Sequence, residues 1–126
     1  MALTIHSSFR PWKDGQQMAK LGLDGTLDTA TAPQLEKELE AVFKGKTQIL
    51  VFDLEKLSFL SSGGVRVILA ARKQVLACNG SCMMLKLQPQ IEKTFEIIEA
   101  LDGLMLFKDD EALDTFLSAL QKSTAA

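Results

Sequence analysis

The sequence predicts an α/β domain with a mostly parallel sheet whose first strand runs antiparallel to the second. Three observations point there. Short apolar runs alternate with amphipathic stretches of about 12 residues, the pattern of right-handed βαβ crossovers. The run QILVFDL (48–54) is mostly apolar, as in a strand covered on both faces. Near the amino terminus, two β-rich segments flank a Pro and an Asp-Gly, residues that favour turns. At 126 residues the chain has the length of one domain with a real core, expected over 1–126.

The predicted order is β-β-α-β-α-β-α-β-α. LTIHSSF and QMAKLGL form the first strand pair around RPWKDG, and LDGTLD ends the second strand, with Gly25 permitting a sharp change of direction. Thr31 reads as an N-cap, with Pro33 just inside the helix and Gln34 as its capping-box partner. Leu35, Leu39, Val42 and Phe43 then mark one apolar helix face, which KGK terminates.

After the central strand, a helix is expected to turn Val65, Ile68, Leu69, Val75 and Leu76 inward and to stop at Asn79-Gly80. SCMMLKL is the next strand. The following helix carries Ile91, Phe95 and Ile98 and stops at Asp102-Gly103. LMLFK is a short strand. The last helix turns Leu113, Phe116, Leu117 and Leu120 inward, with Asp109 and Asp110 at its positive end. QKSTAA reads as a frayed tail. Met83, Met84 and Phe107 fit either core or interface.

Fourteen basic against sixteen acidic residues, with no basic stripe, argue against nucleic-acid binding. No apolar run reaches the roughly 18–20 residues of a membrane span, and the first residues lack a basic-then-apolar leader pattern. A cytoplasmic protein without membrane insertion is the expectation. Cys78 and Cys82 resemble half a metal site, but no second pair completes four ligands and His6 is the only histidine. The reading is two buried or half-buried thiols, no metal and no cofactor.

One junction concentrates unusual residues. In SFLSSGGVR, Ser61-Ser62-Gly63-Gly64 stand where strand gives way to helix. The stretch matches neither G-x-x-x-x-G-K-[ST] nor G-x-G-x-x-G, so a nucleotide cradle is not supported. A serine nucleophile needs an oriented base, and only His6, Lys56 or Lys73 is offered, without a convergent set. The carboxylate pairs Asp24/Asp28 and Asp109/Asp110 suit turns and caps. Two readings stay open: a serine that caps the helix beside glycines in a tight turn, and an exposed hydroxyl presented to another protein. Phosphorylation there would add nearly two negative charges.

Three segments, GTLDTATAPQLEKEL, ILVFDLEKLSFLSSGGVRVILAARKQVLACNGSCMMLKL and LQPQIEKTFEIIEALDGLMLFKDDEALDTFL, resemble in order and spacing the STAS domain family, in particular bacterial anti-sigma factor antagonists. The resemblance covers roughly 3 to 120. It implies a STAS-type fold and a non-enzymatic switch that binds an anti-sigma factor of the serine-kinase ATPase type, with a serine phosphatase reversing the modification. A STAS subunit of another assembly, such as a lipid-transport ATPase complex, is the alternative.

The family motif D-S-S-G falls on Ser61, Ser62, Gly63 and Gly64. The usual phosphoacceptor is thus Gly63, which has no hydroxyl. A related pattern, S-S-A-G-L-R, shows the same shift and places Arg66 in the first helical turn. Either phosphorylation is absent, or Ser62, and after it Ser61, takes over. Asp28 matches the motif aspartate after the second strand, and Asp53 the one that ends the central strand. The resemblance places partner contact on Asp24, Asp28, Thr29, Ser61, Ser62, Gly63, Gly64, Val65 and Arg66.

Overall fold

The protein is described by a computed structural model over residues 2–97 and 103–123. Among these residues β1 (Leu3–Pro11), β2 (Gln17–Leu27), β3 (Thr47–Asp53), β4 (Leu57–Leu60), β5 (Ser81–Leu85) and β6 (Met105–Phe107) form one sheet. Its order is β1-β2-β3-β5-β6, with β4 also paired to β2. The helices are α1 (Ala32–Lys44), α2 (Ser62–Ala77), α3 (Pro89–Ile97) and α4 (Asp110–Ser123). As expected, β1 and β2 are antiparallel and every other pairing is parallel. The hairpin turns through Asp14 (φ 57°) and Gly15 (φ 75°), two positive dihedrals that match the twist of the strands they join.

Strand alternation sorts the core into two layers. Leu21, Leu23, Leu50, Phe52, Cys82 and Met84 face α1, α2 and α3, where they pack on Leu35, Leu39, Val65, Ile68, Ile91 and Phe95. Met18, Ile49, Val51, Met83 and Leu85 face the other way, onto Leu113 and Leu117 of α4. Central strands β3 and β5 are therefore apolar on both faces. Met83 and Met84 are core residues, and Phe107 packs on Phe116 with ring centroids 5.3 Å apart. Burying one such side chain contributes about 1.5–3 kcal/mol.

Several expectations need correction. The sequence reading has no strand at 57–60, and these residues form β4. Strand β2 ends within LDGTLD as expected, at Leu27, and passes through Gly25 without ending there. Its first half pairs with β3 and its last residues with β4, and Gly25 (φ 113°) lies where the register shifts. A side chain there would strike the Ala2 carbonyl, so glycine serves close strand approach.

Leu76 is exposed rather than inward, being 43% accessible. Cys78 is exposed at the end of α2, whereas Cys82 lies in the core, where burial pushes its thiol up to about 12. The carboxyl-terminal tail is helical as far as Ser123. Ile98 and Asp102 lie outside the described residues.

The stop of α2 is as expected. Asn79 (φ 61°) takes the left-handed conformation, its N–H donates to Leu76, and the Gly80 N–H donates to Val75.

Candidate functional site

The junction singled out in the sequence sits where two parallel strands end side by side. Leu27 of β2 pairs with Leu60 of β4, and the Ser61 N–H donates to the Leu27 carbonyl at 3.0 Å. The loops that follow, 28–31 and 61–62, therefore leave the sheet together and open α1 and α2. Functional surfaces of open α/β sheets lie at this carboxyl edge.

Ser61 is the N-cap of α2. Its Oγ accepts the Gly64 N–H at 3.2 Å, satisfying one of the donors that a helix start leaves free. Ser62 is the first helical residue and is exposed. Arg66 is exposed one turn further on.

The two glycines differ. A Cβ at Gly64 would lie 2.8 Å from both the Leu27 carbonyl oxygen and Leu27 Cγ, and 3.0 Å from Leu60 Cδ1. Only glycine lets α2 seat so closely on β2 and β4. A Cβ at Gly63 would meet the Thr29 hydroxyl at 2.9 Å and Ser61 Oγ at 3.6 Å. Thr29 thus stands directly over Gly63.

The start of α1 corrects the expected capping box. Thr31 makes no side-chain cap to its helix, and the Gln34 amide donates to the Leu3 carbonyl at 2.7 Å. Thr31 Oγ1 instead turns back: it accepts the Asp28 N–H at 2.9 Å and lies 2.9 Å from the Thr26 carbonyl. Asp28 Oδ1 accepts the N–H groups of Ala30 and Thr31 at 2.9 and 3.0 Å. Asp28 and Thr31 lock the turn, and Thr29 and Ala30 are exposed at its tip.

Among the residues assigned to partner contact, the structure brings Asp28, Thr29, Ser61, Ser62, Gly63 and Arg66 to this edge. Val65 is fully buried against the sheet and Gly64 is buried, so neither of these two residues offers a partner a side chain. Asp24 belongs to β2 rather than to the turn. With His6, Asp53 and Lys56 it lines a separate cavity of about 240 Å³. Asp53 Oδ1 accepts the Glu55 N–H at 3.1 Å and so serves the turn after β3. The contact between Thr29 and Gly63 was missed in the sequence, because it depends on β4, whose four residues carry little pattern.

A second polar cluster lies on the α4 face. Lys86 Nζ is 2.8 Å from Asp110 Oδ2 and 3.8 Å from Glu55, and Lys20 reaches Asp110 at 3.4 Å and Asp53 at 3.9 Å. The hydrogen bond from Lys86 holds the Asp110 carboxyl below its ordinary range and raises Lys86 in turn. Among the described residues no group of three or more His, Cys, Asp or Glu is arranged to hold a metal ion, and no helix is long and apolar enough to cross a membrane.

Comparison with known proteins places this arrangement. The model of the STAS domain matches residues 15–113, and the chain belongs to that family. It is 41% identical over 76 residues, 60% of its length, to BtrV of Bordetella bronchiseptica, assigned as an anti-sigma factor antagonist; the match spans 65% of that relative. It is 28% identical over 93 residues to the anti-sigma F factor antagonist of Lysinibacillus sphaericus, covering 73% of this chain and 80% of that one. Among solved structures, the anti-sigma factor antagonist SpoIIAA in its unphosphorylated form superposes with a TM-score of 0.69 at 24% identity, over 90% of this chain and 97% of SpoIIAA, which shows the shared fold.

Proposed function

We propose that this protein is an anti-sigma factor antagonist, a non-enzymatic module that binds an anti-sigma factor and so releases a sigma factor for transcription. The observation that carries this reading is the 41% identity to a relative assigned that role. The geometry supports it. The carboxyl edge of β2 and β4 presents Thr29, Ala30, Ser62 and Arg66 on two loops held rigidly by the Ser61–Leu27 and Asp28–Thr31 hydrogen bonds. A preorganised surface of this kind limits the ordering cost of association. Its partner is an anti-sigma factor of the serine-kinase ATPase type, acting with it in the cytoplasm, and a serine phosphatase restores the unmodified form.

Of the two serines, Ser61 is engaged as a cap, and Ser62 is the one whose hydroxyl is open. Affinity purification from native cells with the intact chain as bait tests the reading. Recovery of an ATPase-type sigma regulator is expected. Recovery of transporter components in its place would move the chain to the alternative assembly, and the absence of any sigma regulator would overturn the proposal.

A further inference from the structure

The sheet ends at β1, which β2 pairs on one side and no strand pairs on the other among the described residues. The ladder sets which main-chain groups face that open edge. In β2 the Gln17 and Gly25 N–H groups donate away from β1, to the carbonyls of Lys46 and Lys56, whereas the Thr26 N–H donates to Ala2. Even-numbered residues of β2 therefore bond β1, and their partners are Thr4, His6, Ser8 and Arg10. Leu3, Ile5, Ser7, Phe9 and Pro11 turn their main-chain groups outward. The Leu3 carbonyl agrees, since it accepts from the Gln34 amide of α1 at 2.7 Å.

Sheet edges are commonly guarded by charge, a bulge or proline. Here β1 is nine residues long, pairs with β2 without a register shift, and carries no Asp, Glu, Lys or Arg before Arg10. Phe9 is 46% accessible on the α1 side of the strand, the side from which Ile5 packs on the core.

We propose that two copies of this protein pair through β1, antiparallel and two-fold symmetric about Ser7, into one continuous sheet. In this register Ser7 exchanges both N–H···O bonds with Ser7 of the second copy. Ile5 exchanges both with the second Phe9, and the Leu3 N–H donates to the second Pro11 carbonyl. Proline has no N–H to return. The carbonyl that this register leaves without a donor is therefore that of Leu3, which Gln34 already holds. The side chains fit as well. Phe9 lies across from Ile5 and extends the core layer under α1, while Arg10 faces Thr4 and His6 faces Ser8. Main-chain bonds alone would accept any extended strand; these matches select a second copy.

Glu38 opposes the pairing. Its Oε1 accepts the Ser7 hydroxyl at 2.5 Å, so two carboxylates flank the axis. The two-fold sets the docking edges at opposite ends of the joined sheet, and the dimer presents two separate sites for an anti-sigma factor.

Sedimentation equilibrium of the intact chain, from micromolar to near-millimolar concentration, tests this. The weight-average mass is expected to climb from 13.8 kDa towards twice that value. Phe9→Lys removes the contact with Ile5 and adds a guarding charge without touching the main chain. Ser7→Pro removes the central donor, which the ladder with β2 does not use. Both are expected to stay monomeric, with thermal melts confirming the fold; if Ser7→Pro melts early, Phe9→Lys decides. Glu38→Gln removes the like charges and should tighten pairing by about threefold.

A wild-type mass fixed at 13.8 kDa throughout would overturn the inference. So would a dimer that survives Phe9→Lys unchanged, because the contact would then lie on another surface. Weaker association of Glu38→Gln would overturn the axis at Ser7. None of these results bears on which protein meets the docking edge, so the two readings fail separately.

Discussion

The helices α1 and α2 begin side by side at the same sheet edge, yet their starts are built in opposite ways. At α2 the chain spends a serine hydroxyl on the helix itself, Ser61 accepting the Gly64 N–H, and uses Gly64 to press the helix onto β2 and β4. At α1 the equivalent hydroxyl, on Thr31, ignores its own helix and ties the preceding turn to Asp28 and Thr26. One start is fixed by backbone approach, the other by a side-chain network. The consequence is a division of labour. The α2 start is a rigid floor, and the α1 turn is a clasp that holds Thr29 above it.

The comparison can be broken by substitution, and the glycines give the largest effect. Gly64→Val should destabilise the fold by about 3 kcal/mol, because the clash is with the Leu27 carbonyl oxygen, which cannot move aside without moving β2. Gly63→Ala should cost far less, since its clash is with the Thr29 side chain, which is free to rotate. Urea unfolding of the two variants reads the difference as a shift in midpoint. Equal shifts would mean that the floor is not fixed by backbone approach.

Next in size is the clasp. Thr31→Val removes a buried hydroxyl and leaves the Asp28 N–H and the Thr26 carbonyl without that partner, at about 1–3 kcal/mol. Hydrogen exchange should show faster exchange in the 28–31 turn with α2 unaffected. Ser61→Ala removes a single cap and should cost about 1 kcal/mol, with faster exchange confined to the first turn of α2. Opening of both turns in either variant would argue for one cooperative unit in place of two separate devices.

The smallest effect lies at a third helix start, which sharpens the contrast by using charge. Asp109 caps α4 through the Ala112 N–H at 2.8 Å, while Asp110 pairs with Lys86 and Lys20. Asp110 is held below its ordinary value of 3.8, so its contribution is present above that pH and is lost as pH falls through the lowered value. Lys86 is raised above 10.5, so its contribution is present below that pH and is lost as pH climbs through the raised value. Both groups face solvent and the pair is screened, so Lys86→Met should change stability little, and less still in high salt. A thermal-melt series across acid pH checks this, and it should leave the α1 and α2 starts unmoved.

Much of this fold was legible because its signals are local. The alternation of QILVFDL with helical periodicity gave the two-sided central strand, and Asn79-Gly80 gave the stop of α2. Ser61 and Ser62 stood out as a helix start by composition alone. What was not legible depends on pairing between distant segments. The four residues of β4 carry meaning only once Leu60 lies beside Leu27. Thr31 has the right position for a cap, and only the returning turn of Asp28 gives its hydroxyl better partners. Val65 sits inside a surface motif but points into the core, because the helical period turns it toward the sheet. Thr29 could not be placed over Gly63 from 34 positions away without β4.

The central claim is that the edge formed by the 28–31 turn and the start of α2 is the docking surface for an anti-sigma factor. It is tested most directly by titrating the captured anti-sigma factor with the wild-type chain, with Arg66→Glu and with Lys46→Glu, an exposed control before β3 at the opposite end of the sheet. The account predicts at least about a tenfold rise in Kd for Arg66→Glu, or ~1.4 kcal/mol, with Lys46→Glu close to wild type. Equal affinities for all three proteins would contradict it.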